Sequence, residues 1–280
     1  MSSLADIKRR LASVKQTRRI TGAMKTVSIA KMRKASENYE KSRAYAALVD
    51  EIMKAAATSE GEIYFSVNDT LKKYLLVLST DRGLCGGFDH DVLRFADGVI
   101  SENADTVVMP IGRAATEHYS GAKNCDARFS GCYSADAEDA KNVADALLEM
   151  FGTVAGEIAI VYVSGRTPIK RVLLPIAAPT DDGKTQDLLL EPSRKDVVDA
   201  LVPLYVTAAV LDALQSHVLA EHGARQAAMS AATDSADKII DELSVQYNRA
   251  RQAGVTEQIT EIIGATSALG SNGGDNEKRS

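Results

Sequence analysis

Cysteine is scarce in this 280-residue chain: Cys85, Cys125 and Cys132 are the full set, with no repeated CxxC spacing. That excludes a disulfide framework and a zinc site of the paired-cysteine kind, and makes a reducing compartment the default. Long apolar runs are also wanting. Residues 1–15 are polar and amphipathic without the apolar centre of a signal peptide, and no stretch reads as the roughly 18 apolar residues that span a bilayer. Membrane association is therefore expected only through other proteins. Excess charge of one sign is missing too: 33 basic side chains stand against 38 acidic ones, which gives no general attraction to nucleic acid or anionic lipid. Proline is absent from residues 3–57, where Gly22 is the single glycine.

Those absences leave a chain that can build a core, with 45% hydrophobic residues, and that can extend long helices. Helix formers dominate residues 3–57, which read as one helix of about 80 Å at ~1.5 Å per residue. Its early apolar positions Leu4, Ile7, Leu11 and Val14 follow the 3,4,3 spacing of a coiled-coil seam. A second helical tract is expected from Asp196 to about Ala268, with Pro203 near its start and Gly223, Gly254 and Gly264 as weak points. Stepping through it by 3 and 4 gives a seam of Leu204, Ala208, Leu211, Gln215, Val218, His222, Arg225, Met229, Ala232, Ala236, Ile239, Leu243, Gln246, Ala250 and Ala253.

Charge is distributed unevenly between these tracts. Residues 1–45 hold 12 Lys/Arg against three acids, a net of +9, whereas residues 196–262 hold four against ten, a net of −6. Opposite charge on two long helices fits an antiparallel pair, although solvation of each face would account for either run alone. Between them, strand-like and helix-like segments alternate at 74–79, 89–101, 106–111, 113–120, 135–151 and 157–163. A strand-like piece follows at 171–177, then a turn at 181–183 leading to Leu188-Leu189-Leu190. The expected fold class is α/β: a long antiparallel coiled coil of N- and C-terminal helices (1–58 and 193–269) with an inserted open, Rossmann-like α/β domain (70–192). Residues 270–280, rich in glycine, asparagine and charge, read as a disordered tail.

Chemical motifs are few. Ser79-Thr80-Asp81-Arg82-Gly83-Leu84-Cys85-Gly86-Gly87-Phe88 follows a strand and opens a helix, as a phosphate-cradling loop does, yet it lacks the Lys-Ser/Thr of a P-loop and the G-x-G-x-x-G spacing. It reads as a structural turn. Cys85 within it reads as a small buried side chain rather than a nucleophile. His217 and His222 flank Glu221 at a spacing of five, which points them about 140° apart on a helix and makes a poor metal pair. Asp241, Glu242, Glu257 and Glu261 read as a charged partner surface or as solvated faces, since one helical hairpin builds no catalytic pocket. No catalytic residue, cofactor site or metal site is expected. On these readings alone, a static coiled-coil adaptor fits as well as a moving part, and a small-molecule-binding α/β enzyme with helical arms remains a third class.

Four collinear segments carry a resemblance. They are Ile7-Lys8-Arg9-Arg10-Leu11 through Ile20-Thr21-Gly22-Ala23-Met24-Lys25, the turn from Asp81 to Gly87, Ala227-Ala228-Met229-Ser230-Ala231-Ala232-Thr233-Asp234, and residues 249–264. Together they resemble the gamma subunit of F-type ATP synthases, bacterial type, over residues 2–269. The resemblance implies a non-catalytic rotor shaft, one copy per complex, inside a hexamer of three alpha and three beta subunits. The inserted domain would meet the epsilon subunit and the membrane-embedded c ring, at the cytoplasmic face of the bacterial inner membrane. It also implies contact of Met24, Lys25, Arg225, Arg251, Gln252 and Thr256 with the hexamer, and of Leu188, Leu190 and Glu191 with the c ring. The family often has tyrosines where Leu188 and Leu190 stand, and glutamate where Gln258 stands.

Overall fold

The computed structural model describes residues 4–56, 63–66, 68–131, 134–177, 191 and 193–272. Cys132, the turn at 181–183, Leu188, Leu189, Leu190 and the tail after 272 lie outside the described residues. In chain order the elements are α1 (Leu4–Ala56), β1 (Lys72–Leu78), α2 (Phe88–Glu102), β2 (Val107–Ile111), α3 (Arg113–Tyr119), α4 (Ala137–Met150), β3 (Ala155–Ser164), β4 (Thr167–Leu174) and α5 (Arg194–Asn272), with short 3-10 turns at Ile63–Phe65 and Ala127–Phe129. Both long helices are present. The chain divides into two compact units, residues 1–24 with 229–280, and residues 25–228.

Along α1 the covered positions recur with a strict seven-residue repeat. Ile7, Val14, Thr21, Ser28, Ala35, Ser42, Val49 and Ala56 alternate with Leu11, Arg18, Lys25, Met32, Tyr39, Ala46 and Met53, and Arg18 is the exposed member of the series. Such 4,3 spacing keeps one stripe facing a partner helix. Many of these side chains are small or polar, so the seam is narrow, and it is not legible as an apolar pattern beyond Val14.

In the unit of residues 1–24 and 229–280, the Thr233 hydroxyl donates to Thr21 Oγ1 at 2.8 Å and Arg18 Nε donates to Asp237 Oδ1 at 2.8 Å. Advancing on one helix means retreating on the other, so the pair is antiparallel. Met229, Ala236 and Leu243 are buried, as the seam reading has it. The alternate positions differ: Thr233, Ile240, Tyr247 and Gly254 are half-buried, while Ile239, Gln246 and Ala253 are exposed. Apolarity alone does not choose between Ile239 and Ile240; the Thr21–Thr233 bond does. The same register places Leu4 opposite about residue 250, and residues 255–266 of α5 are exposed all round.

In the unit of residues 25–228, a four-stranded sheet has the order β2-β1-β3-β4, with β1 parallel to both neighbours and β4 antiparallel to β3. Side chains alternate between two covered faces, as parallel strands demand. Leu76, Leu78, Met109, Ile158, Ile160 and Leu173 pack with α4, with Val49, Met53 and Ala56 of α1, and with Val198, Val202, Val206, Val210 and Leu214 of α5. Leu75, Val77, Val108, Ala159, Val161 and Val163 pack on the other side with Val92 and Ala96 of α2 and Ala115 and Tyr119 of α3. Each fully covered aliphatic side chain contributes about 1.5–3 kcal/mol. Residues 49–56 and 198–214 therefore belong to the core of this unit as well as to the long helices.

Two sequence expectations are corrected. The strand expected at 171–177 runs instead over Thr167–Leu174, because Gly165 (φ 65°) and Arg166 form a two-residue hairpin turn that pairs Ser164 with Thr167. Pro203 lies near the start of α5, in its third turn, with the helix continuing through it. Helix α5 also contains an 18-residue window with mean hydropathy 1.8, apolar enough by composition to cross a bilayer; half of that window is buried inside the protein, where its valines form the core described above.

Candidate partner interface

The glycine-rich turn is held from several sides. At the end of β1, Ser79 Oγ accepts from Ala115 N at 2.8 Å and donates to Ile111 O at 3.0 Å. Gly112 lies against it with φ 89°, and a Cβ there would stand 2.3 Å from the Ser79 carbonyl oxygen, so the crossing needs glycine. Asp89, in the first turn of α2, accepts from Thr80 N at 2.9 Å and from the Thr80 hydroxyl at 2.7 Å; Asp81 accepts from Arg113 N at 3.2 Å. Asp89 and Asp91 thus already place negative charge at the α2 N-terminus, the opposite of an anion cradle. Cys85 is buried and donates to Asp89 at 3.4 Å. Burial first, and then the Asp89 charge, push its thiol above its ordinary value, which suits packing and not nucleophilic attack.

Arg225 on α5 closes this turn. Its side chain is among the buried polar groups, with 8% of the residue exposed. Nη2 donates to Arg82 O at 2.6 Å and meets Glu221 Oε1 at 2.6 Å, Nε donates to Gly83 O at 3.3 Å, and Nη1 lies 3.3 Å from His222 Nδ1. Burial, followed by the Arg225 and Lys31 charges, lowers His222 to about 4, so its Nδ1 is a free acceptor for that contact. Burial raises the Glu221 carboxyl despite its ion pair, with the charges of Asp89 and Asp81 adding to the effect.

His217 faces elsewhere. It is enclosed, with Val163 N donating to its Nδ1 at 3.4 Å and the Phe88 ring edge-on at 5.1 Å, and burial lowers it to about 4. Among the described residues, no three His, Cys, Asp or Glu side chains gather as a metal site.

The other expected contact residues fall into separate places. Met24 and Lys25 are half-buried on α1, with Lys25 at a seam position. Arg251, Gln252 and Thr256 are exposed on the last stretch of α5, where the Thr256 hydroxyl donates to Gln252 O at 2.9 Å. Glu191 is exposed; Leu188 and Leu190 lie outside the described residues. Sequence reasoning passed over Val255, Ile259, Ile262 and Ile263, all at least half exposed. Their signal is the i, i+4, i+7 spacing of Val255, Ile259 and Ile262, interleaved with the Glu257 and Glu261 charges.

A family model described as ATP synthase matches residues 3–269. ATP synthase gamma chains from Heliobacterium modesticaldum and Anaeromyxobacter dehalogenans are 33% and 36% identical to this chain, each alignment covering 96% of it and 100% of the relative. Among solved structures, a chain of the Euglena gracilis mitochondrial ATP synthase, seen by cryo-EM in an OSCP/F1/c-ring assembly, superposes with a TM-score of 0.68. It covers 99% of this chain and 98% of its own length at 18% identity, a likeness of fold. On the family model and the full-length relatives, this chain belongs to the ATP synthase gamma-chain family.

Proposed function

We infer that this chain is the central shaft of an F-type ATP synthase, a non-catalytic subunit that couples rotation of a membrane ring to the catalytic sites of the surrounding subunits. Beyond family membership, the observation that carries this reading is the far end of α5. Among the described residues no helix packs against 255–266, and Val255, Ile259, Ile262 and Ile263 expose apolar surface there. An apolar stripe left uncovered on a single helix calls for a protein sleeve.

The sleeve is a hexamer of alpha and beta subunits, met by Arg251, Gln252 and Thr256 near the apolar end and by Met24 and Lys25 on α1. Glu191, with Leu188 and Leu190, faces the c ring, and the inserted domain also meets an epsilon subunit. The complex sits at the cytoplasmic face of the bacterial inner membrane, with this chain held there through the c ring. Mechanically, a shaft shifts a catalytic site only by contacting its conformations unequally; a ligand of equal affinity for both states shifts nothing. Two helices of unequal length, bearing different side chains around the shaft, can meet that requirement, and ATP chemistry stays on the partner subunits.

Reconstitution with the alpha and beta subunits tests the reading. The wild-type chain is expected to co-assemble and to support ATP hydrolysis, whereas the Ile259→Asp/Ile262→Asp double variant, whose replaced side chains are solvent-exposed, keeps the unfolding midpoint of the isolated chain and loses assembly or turnover by about tenfold or more. A chain that fails to join the hexamer, or a double variant with wild-type hydrolysis, contradicts it.

A further inference from the structure

The contacts of Arg225 differ from those of a cation offered to another protein. Four groups of this chain surround its guanidinium: the Arg82 and Gly83 carbonyls, the Glu221 carboxylate and the His222 ring. The carbonyls belong to a turn that resists its own backbone. Leu84 holds φ 68°, a left-handed conformation costly for a branched side chain, while 57% of it stands in solvent. Neither Leu84 packing nor intrinsic preference explains why the turn stays in that shape. What does hold it is a bracket of fixed groups: Asp89 on the Thr80 side, Asp81 on Arg113, Gly86 (φ 67°) close under Ala228, and Arg225 over the crest.

We propose that Arg225 is a positioning residue that pins the crest at residues 82–84 to α5, so that the strained turn and the helix move as one body. The proposal rests on the shaft reading for its purpose, since a turn that yields under torque transmits none. Its chemistry stands apart from that reading. A guanidinium fork reaches the two adjacent carbonyl oxygens from two nitrogens held in one rigid plane, whereas an ammonium offers its donors from a single freely rotating atom and does not fix that geometry. Glu221, one helical turn before Arg225, fixes the fork's orientation and is itself mostly buried. The exposed Arg82 and Leu84 side chains are what the pinned crest presents outward.

Cys85 provides the readout, because it is buried under the same turn, while Cys125 lies outside it and serves as an internal control. In the full-length chain, Arg225→Gln is expected to raise the rate of Cys85 alkylation by iodoacetamide about tenfold, with Cys125, followed on its own peptide, unchanged. Arg225→Lys, which keeps the charge but loses the fork, is expected to give a smaller Cys85-selective rise, and it carries the test if the glutamine variant fails to fold. A wild-type Cys85 rate in these variants, or Cys85 and Cys125 rising together, overturns the proposal. No partner subunit is present in this measurement, so its failure leaves the shaft reading untouched, and failure of the reconstitution leaves this contact untouched.

Discussion

Among single residues, His217 carries the sharpest pH signature. Its imidazole is enclosed, and burial lowers it from 6.5 to about 4. Between those values the unfolded chain binds a proton that the folded chain refuses, so stability rises with pH across that window. The contribution is fully present above pH 6.5 and is lost as pH falls toward 4, a change of about 3 kcal/mol at most. His217→Gln retains an acceptor for Val163 N–H without the titration. Urea unfolding of both full-length chains at pH 7 and pH 4.5 is expected to show the wild type losing more stability on acidification than the variant; equal losses contradict a neutral, buried His217. His222 shifts the same way, but its contact with Arg225 makes a replacement there harder to interpret.

At the level of elements, the register of the helix pair is the feature that sequence periodicity left one residue off. The structure covers Leu243 and Ile240 while Ile239 stands 44% exposed. Leu243→Ala is therefore expected to cost about 2 kcal/mol, whereas Ile239→Ala changes stability by about 0.5 kcal/mol or less. Comparable costs in thermal or urea unfolding would restore the other register. Other elements were readable for identifiable reasons. The sheet strands 72–78 and 107–111 are short apolar runs bounded by turn residues, and the two long helices lack interior proline over most of their length. The last strand starts earlier than the expected residue 171; its first half, Thr167 to Arg171, is largely polar and carries Pro168, while the hairpin at Gly165 sets its start. Pro110 inside β2 is accommodated because β2 is an edge strand.

For the molecule as a whole, what the sequence displays least is which charges are used internally. Arg225 and Arg251 look alike as cations on one helix, yet one is enclosed by carbonyls 142 and 143 residues away in sequence and the other is exposed. Such long-range closure leaves no periodic trace, and only the fold distinguishes the two. The paired net charges of the long helices, by contrast, were plain in composition, though the Arg18–Asp237 pair they produce is half-exposed and contributes about 0–1 kcal/mol. Charge complementarity in this chain accompanies the pairing of the two helices and contributes little to its stability.

Whether the chain turns separates a shaft from a static adaptor of the same shape. The most direct measurement is ATP hydrolysis by the reconstituted complex before and after a disulfide links Gln252→Cys to a cysteine placed in the beta subunit proposed to contact it. If the chain is a rotor, the closed disulfide stops turnover and reduction restores it. Undiminished turnover with the chain covalently fixed to the hexamer would contradict rotation as its function.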